Sequence, residues 1–197
     1  MAHRMYCSCT SSRRNFLTGL VGGLVATTLP AGAANPKPTV VGNRDRIDTH
    51  HHFFAPTLLN IMVERKIAAK PALDWSLNAT LDDMNKAGTA TAILSATTPQ
   101  VSFLDAELAK KFARENNEYA AKLADENKGR FGSFAMLPMQ NIDDALKEIE
   151  YSMDVLKADG IGLLTSYGDK WLGHPNFTPV LEELNRRKAI LYTHPTS

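Results

Sequence analysis

Apolar and polar positions alternate along this chain in two periods, which take turns. Short runs rich in branched apolar residues stand at Ile47–His50, Thr89–Ala96 (TATAILSA), Phe131–Leu137, Gly160–Thr165 (GIGLLT) and Ala189–Thr193 (AILYT). Runs of that length and composition predict buried strands. Between them the spacing changes to the three-and-four pattern of helices. Residues 57–66 place Leu58, Leu59, Ile61, Met62 and Val63 at helical spacing, and a second helix opens at Thr80-Leu81-Asp82-Asp83 with Thr80 as its cap and Gly88 as its stop. Residues 103–127 form the longest predicted helix, with Leu104, Leu108, Phe112, Tyr119 and Leu123 near one face. Lys110, Lys111, Arg114, Glu115 and Glu118 fall largely elsewhere and read as its solvated side. Residues 143–157 and 179–187 complete the set, the last ending in Arg186, Arg187 and Lys188, where positive charge suits a helix C-terminus.

Strand and helix in strict alternation imply parallel strands joined by crossovers. Strand-following loops of the G-x-G-x-x-G or P-loop kind do not occur, so a nucleotide site is not expected. A (β/α) TIM-barrel-like α/β fold fits best, with about five βα units. Its functional site is expected at the C-terminal ends of the strands.

Histidines stand at two of those ends. Ile47-Asp48-Thr49-His50-His51-His52 closes the first run, and His194-Pro195 follows the fifth. In an extended strand His50 and His52 share one face, about 7 Å apart, and His51 takes the other. Such a pair makes a pincer for a divalent metal. Strands 1 and 5 of an eight-stranded barrel lie opposite one another, so His194 can converge on the same ion. Asp48 is placed to orient a ligand from outside the shell. Phe53, Phe54, Tyr167 and Trp171 are candidates for the substrate pocket, although each suits packing as well. The loop Tyr167–Trp171 is the foremost pocket loop, and His174 reads as structural or exposed.

Composition narrows the chemistry. The chain has 197 residues, 44% hydrophobic and 22% charged, enough for one ordinary domain with a core. Its only cysteines are Cys7 and Cys9, so disulfides, thiolate zinc sites and a cysteine nucleophile are excluded from the body. A metal there must use imidazole and carboxylate. Net charge is +1, and residues 1–33 contribute three arginines and no acid, leaving 19 basic against 21 acidic residues. No nucleic-acid footprint follows from that balance.

The first 33 residues read as an address. Ser12-Arg13-Arg14-Asn15-Phe16-Leu17 resembles the twin-arginine export motif, followed by an apolar run to Leu29 and the small-x-small site Ala31-Gly32-Ala33. The run of 14 residues is shorter than the ~20 that cross a bilayer, so no membrane span is expected after its removal. An ordinary secretory signal that carries two arginines is the competing reading. The expected mature chain starts near Ala34 and is exported to the periplasm or beyond. Residues 34–45 form a flexible lead-in and 46–197 the barrel.

Ile47-Asp48-x-His50-x-His52, Gly160-Ile161-Gly162-Leu163 and Leu191-Tyr192-Thr193-His194-Pro195 together resemble the amidohydrolase superfamily. The branch most similar is that of the metal-dependent decarboxylases related to aminocarboxymuconate-semialdehyde decarboxylase. Gly129-Arg130-Phe131-Gly132, Asp159–Thr165 and Pro175-x-Phe177-x-Pro179 look especially like its 6-methylsalicylate decarboxylase-type members. The resemblance spans about residues 46–197. It implies one divalent ion, commonly zinc, held by His50, His52 and His194. It also implies a non-oxidative decarboxylation of a small, aromatic or unsaturated carboxylic acid. In that family an Asp after strand 8 completes the shell and a His after strand 6 handles protons. Both would fall beyond Ser197, so no catalytic residue is assigned within this chain. The expectation is an N-terminal part of the barrel, against a short form that assembles with another chain. Hydrolysis of an ester, lactone or amide on the same scaffold stays open, as do a non-catalytic metal-binding fragment and homo-oligomerisation.

Overall fold

The computed structural model describes residues 46–196. The expected export signal and lead-in, and both cysteines, lie outside the described residues.

The first strand, β1 (Arg46–His52), leads into three helices, α1 (Pro56–Glu64), α2 (Lys70–Asp74) and α3 (Leu77–Ala87). Then come β2 (Thr89–Ser95), α4 (Ala106–Glu126), β3 (Phe131–Met136) and α5 (Ile142–Glu150), whose last turn widens to π geometry over Tyr151–Val155. β4 (Gly160–Leu164) is followed by a small hairpin of β5 (Ser166–Tyr167) and β6 (Lys170–Trp171), then by α6 (Thr178–Arg187) and β7 (Ile190–His194). The main sheet has the order β1-β2-β3-β4-β7, every pair parallel. All five C-terminal ends therefore lie along one rim.

Several local expectations shift. Lys70-Pro71-Ala72-Leu73-Asp74 is too short for periodicity to reveal, yet it forms α2, started by Pro71 in its first turn. α3 is capped by Ser76, whose Oγ accepts the Ala79 amide at 3.2 Å, while Thr80 is buried inside the helix. Gly88 closes α3 as expected, at φ 71°. The expected loop Tyr167–Trp171 is the β5–β6 hairpin.

The core lies between the sheet and its helices. One cluster joins Phe53, Leu58, Met62, Leu94 and Leu123, and a second joins Leu137, Ile149, Ile161, Leu163 and Val180. Between α4 and α5, Asn117 hydrogen-bonds both the amide and the carbonyl of Met136, each at 2.8 Å, so its side chain substitutes for a strand. Its amide also donates to Glu148, which is buried and paired with Arg114 at 2.8 Å. Glycine is required where backbones crowd: a Cβ on Gly160 would lie 2.5 Å from the Ile190 carbonyl on β7. That close approach seats the strand that carries His194.

Candidate metal centre

β1 and β7 are the opposite edges of the sheet. Four strand spacings in a flat sheet would separate them by about 19 Å. Instead the sheet curls, and the rings of His50 and His194 have centroids 5.4 Å apart, those of His52 and His194 4.9 Å. The ligand atoms of His50, His52 and His194 lie within 4.8 Å of one another.

Each ring is held differently. The His52 ring places Nδ1 3.2 Å from the Ser95 carbonyl at the end of β2, so Nδ1–H donates there and Nε2 keeps a free lone pair. Burial lowers the basicity of His52, the imidazoles of His194 and His50 lower it further, and the Ser95 carbonyl opposes them only in part. The ring is thereby held in its neutral, ligating form. The His194 ring places Nδ1 2.8 Å from the Pro195 carbonyl, so Nδ1–H donates there and Nε2 carries the lone pair. Thr97 and Thr98, just after β2, each bring an Oγ1 to 3.5 Å from that ring. His50 is the exposed member; its Nε2 stands 3.0 Å from Nε2 of His52. Two imidazole nitrogens facing each other at this distance suit a shared cation. The edge of a tetrahedron of nitrogens around zinc is about 3.3 Å. The donor set, three imidazoles with no thiolate, fits a divalent ion of borderline hardness.

His51 points to the other face, beside Trp75 and Ser76, as alternation predicts. Asp48 departs from the expectation. β1 slips register between Asp48, opposite Ala92, and His51, opposite Leu94. Three residues on β1 advance against two on β2, which is a β-bulge. Asp48 is thereby turned from the ligand face to His51, whose Nδ1 it meets at 3.0 Å, and its other oxygen accepts the His50 amide at 3.0 Å. Partial burial pushes the Asp48 carboxyl up, but these two hydrogen bonds and the neighbouring imidazoles outweigh it and hold the group below its usual range. Asp48 thus holds the backbone of His50 and the ring of His51, not an imidazole of the triad.

Of the pocket residues read from the sequence, Phe54 lines a recess together with His52, Thr97 and Thr98, and the other three have different surroundings. Phe53 is a core residue, 1% exposed and stacked on Tyr119 of α4, because the chain turns into the helix layer directly after His52. The Tyr167 hydroxyl accepts the Leu164 amide at 2.9 Å and its ring packs on Phe177, a structural role. Trp171 is 67% exposed on the small hairpin. His174 accepts the Asn176 amide at 3.1 Å and caps the turn before α6, in keeping with a structural reading. The ring that does meet the triad is Tyr192, edge-to-face with His50 at 5.6 Å and stacked on Phe134 at 5.3 Å. Its hydroxyl is buried with no partner among the described residues, and burial pushes the phenol up. Its position two residues before His194 on a strand was the available signal. Thr97 and Thr98 had one too, since they follow a strand's C-terminal end.

The amidohydrolase family profile matches residues 47–196, the stretch that holds all three histidines. The chain belongs to the amidohydrolase family. Its amidohydrolase relatives include decarboxylase yanB of Aspergillus niger, 43% identical over 163 residues, covering 78% of this chain and 44% of that protein. A second is the 6-methylsalicylic acid decarboxylase of Penicillium expansum, 35% identical over 159 residues, covering 77% of this chain and 48% of the relative. Among solved structures, the dihydroxybenzoic acid decarboxylase of Polaromonas sp., determined with bound manganese and an inhibitor, superposes with a TM-score of 0.66. It is 23% identical over 77% of this chain and 49% of that one. The fold is thus that of the amidohydrolase barrels, present here as a curled five-stranded parallel sheet with its helices. The chain spans about half the length of the relatives it matches.

Proposed function

We propose that this chain carries the metal-binding half of a non-oxidative decarboxylase acting on a small aromatic or unsaturated carboxylic acid. The observation that carries the reading is the meeting of His50, His52 and His194 at the C-terminal rim, in a chain whose relatives are decarboxylases. His50, His52 and His194 would hold one divalent ion through ring nitrogens, and zinc suits three imidazoles. The chemistry such an ion supplies is Lewis-acid polarisation and templating of the substrate's carboxylate. Ser95 and the Pro195 carbonyl hold the tautomers of His52 and His194, and Asp48 holds the backbone of His50. Tyr192 meets His50 edge to face and would help to hold its ring. No described side chain is assigned the transfer of a proton to carbon.

Zinc- and manganese-loaded protein, incubated with 2-hydroxybenzoates, tests this. Release of CO₂ with the matching phenol is the expected outcome. Cleavage of esters or lactones without CO₂ release would overturn it in favour of hydrolysis.

We also infer export by the twin-arginine route, on the strength of Ser12–Leu17 and the run that follows. Replacing Arg13 and Arg14 by Lys should retain the protein in the cytoplasm; unchanged periplasmic recovery and processing near Ala34 would refute that route. No helix among the described residues is long and apolar enough to cross a membrane.

A further inference from the structure

One peptide unit beside the triad is held by side chains from two other strand ends. It joins Pro195 to Thr196, just after β7. Its carbonyl accepts from His194 Nδ1–H at 2.8 Å and from the Thr98 hydroxyl at 3.2 Å. Its N–H donates to the Thr165 hydroxyl oxygen at 3.1 Å. Thr98 follows β2 and Thr165 follows β4, so two strand ends fix a single plane at the end of a third.

The backbone alone does little to hold that plane. β7 is an edge of the sheet, and its pairing with β4 stops at His194. The last bond between the two segments runs from the Thr165 amide to the His194 carbonyl, 2.9 Å. Past it, the proline ring fixes φ of residue 195 and removes its N–H, which leaves ψ as the one backbone angle that aims the carbonyl. The two hydroxyls act on that angle from both ends of a rigid planar unit, one on its carbonyl and one on its N–H. Each is anchored in turn. The segment carrying Thr98 is tied to β4 through the buried Gln100 amide, and Thr165 shares the Thr196 hydroxyl with Ser166.

We propose that Thr98 and Thr165 are positioning residues for the third metal ligand. They hold the Pro195–Thr196 unit so that its carbonyl keeps the proton of His194 on Nδ1 and leaves Nε2 to the site. The proposal rests on the reading of the triad as a metal centre. His52 needs no such device, because its acceptor, the Ser95 carbonyl, belongs to β2. The acceptor for His194 lies past the end of its strand and would otherwise turn with ψ. A carbonyl aimed elsewhere would let the ring carry its proton on either nitrogen, and an ion needs a chosen one bare.

Zinc affinity of the full chain, measured by competition with a chromophoric chelator, tests this together with the His194 tautomer. The tautomer is read from side-chain nitrogen chemical shifts of the zinc-free chain under mildly alkaline conditions. Thr98→Val and Thr165→Val keep the shape and remove the hydroxyl. Each should weaken zinc binding roughly 10-fold and turn a single His194 tautomer into a mixture. Thr98→Ser should keep both at the parent's state. Because the two hydroxyls hold one peptide unit, the double valine variant should lose little more than either single one. Thr91→Val, which removes a hydroxyl bond of 2.8 Å to the Gly129 carbonyl at the opposite end of β2, should leave zinc affinity unchanged. Parent affinity or an unchanged tautomer in the valine variants overturns the positioning role alone. So does a loss that serine fails to restore, or losses that add in full. If the parent chain binds no zinc, the metal reading of the triad fails, and this assignment with it.

Discussion

The middle of the sheet and its two edges are built to different rules. β4 is buried at every position, and β3 at all but one. Such strands, covered on both faces, read as near-continuous apolar runs. β1 and β7 are mostly exposed or half-exposed, with Ile47, Ile190 and Leu191 open to solvent. Yet all three clustered histidines stand on these edges. The middle supplies curvature and rigidity; the edges supply chemistry. Coupling between them is geometric, through β4–β7 contacts at Gly160 and through the loop after β2. In that loop the Gln100 amide bonds the carbonyls of Ala96 and Gly162, both at 3.3 Å, which ties the segment carrying Thr97 and Thr98 to β4.

Substitutions at the edge and in the middle should therefore separate function from stability. The largest effect is expected from His50→Ala combined with His194→Ala. That variant should lose stoichiometric zinc altogether by metal analysis while keeping the far-ultraviolet circular dichroism of the parent. Full zinc retention would break the assignment of the site to the edges. Next comes Ile161→Ala in β4, which should cost about 2–5 kcal/mol in urea unfolding, against Ile190→Ala on the exposed edge at within about 0.5 kcal/mol. An equal loss at Ile190 would show that the β7 edge is covered in solution. Asp48→Asn tests the link between bulge and ligand: zinc affinity should fall by roughly 10-fold with little change in the unfolding midpoint, measured by competition with a chromophoric chelator. The smallest effect belongs to Lys66→Gly. It relieves a left-handed residue at the α1 turn and should stabilise the fold by up to about 1 kcal/mol.

Much of this was legible before any coordinates. Strand and helix order followed from the change of period, and the ligand face of His50 and His52 from simple alternation. Placement at the C-terminal rim followed from parallel connectivity. What was missed has identifiable causes. α2 is five residues long, too short for a periodic signal. Phe53 looked like a pocket residue because it neighbours the histidines, but the chain enters the helix layer at that point, and burial there is a property of packing. Thr97, Thr98 and Tyr192 carried only a positional signal, near the C-terminal ends of strands, and what lies across the sheet turns that position into a contact with the triad.

The sequence by itself determined the donor chemistry: imidazoles without thiols, on strands whose order places them at one rim. The tertiary structure alone decided three things. Curling of the sheet turned a separation of 142 residues between His52 and His194 into neighbouring rings. The bulge between Asp48 and His51 in β1 moved Asp48 from the ligand face to the opposite one, because one extra residue inverts the alternation across it. And the reversal after α1 set Ile67 beside Met62, on the wall of a recess that His52, Thr97 and Thr98 also line.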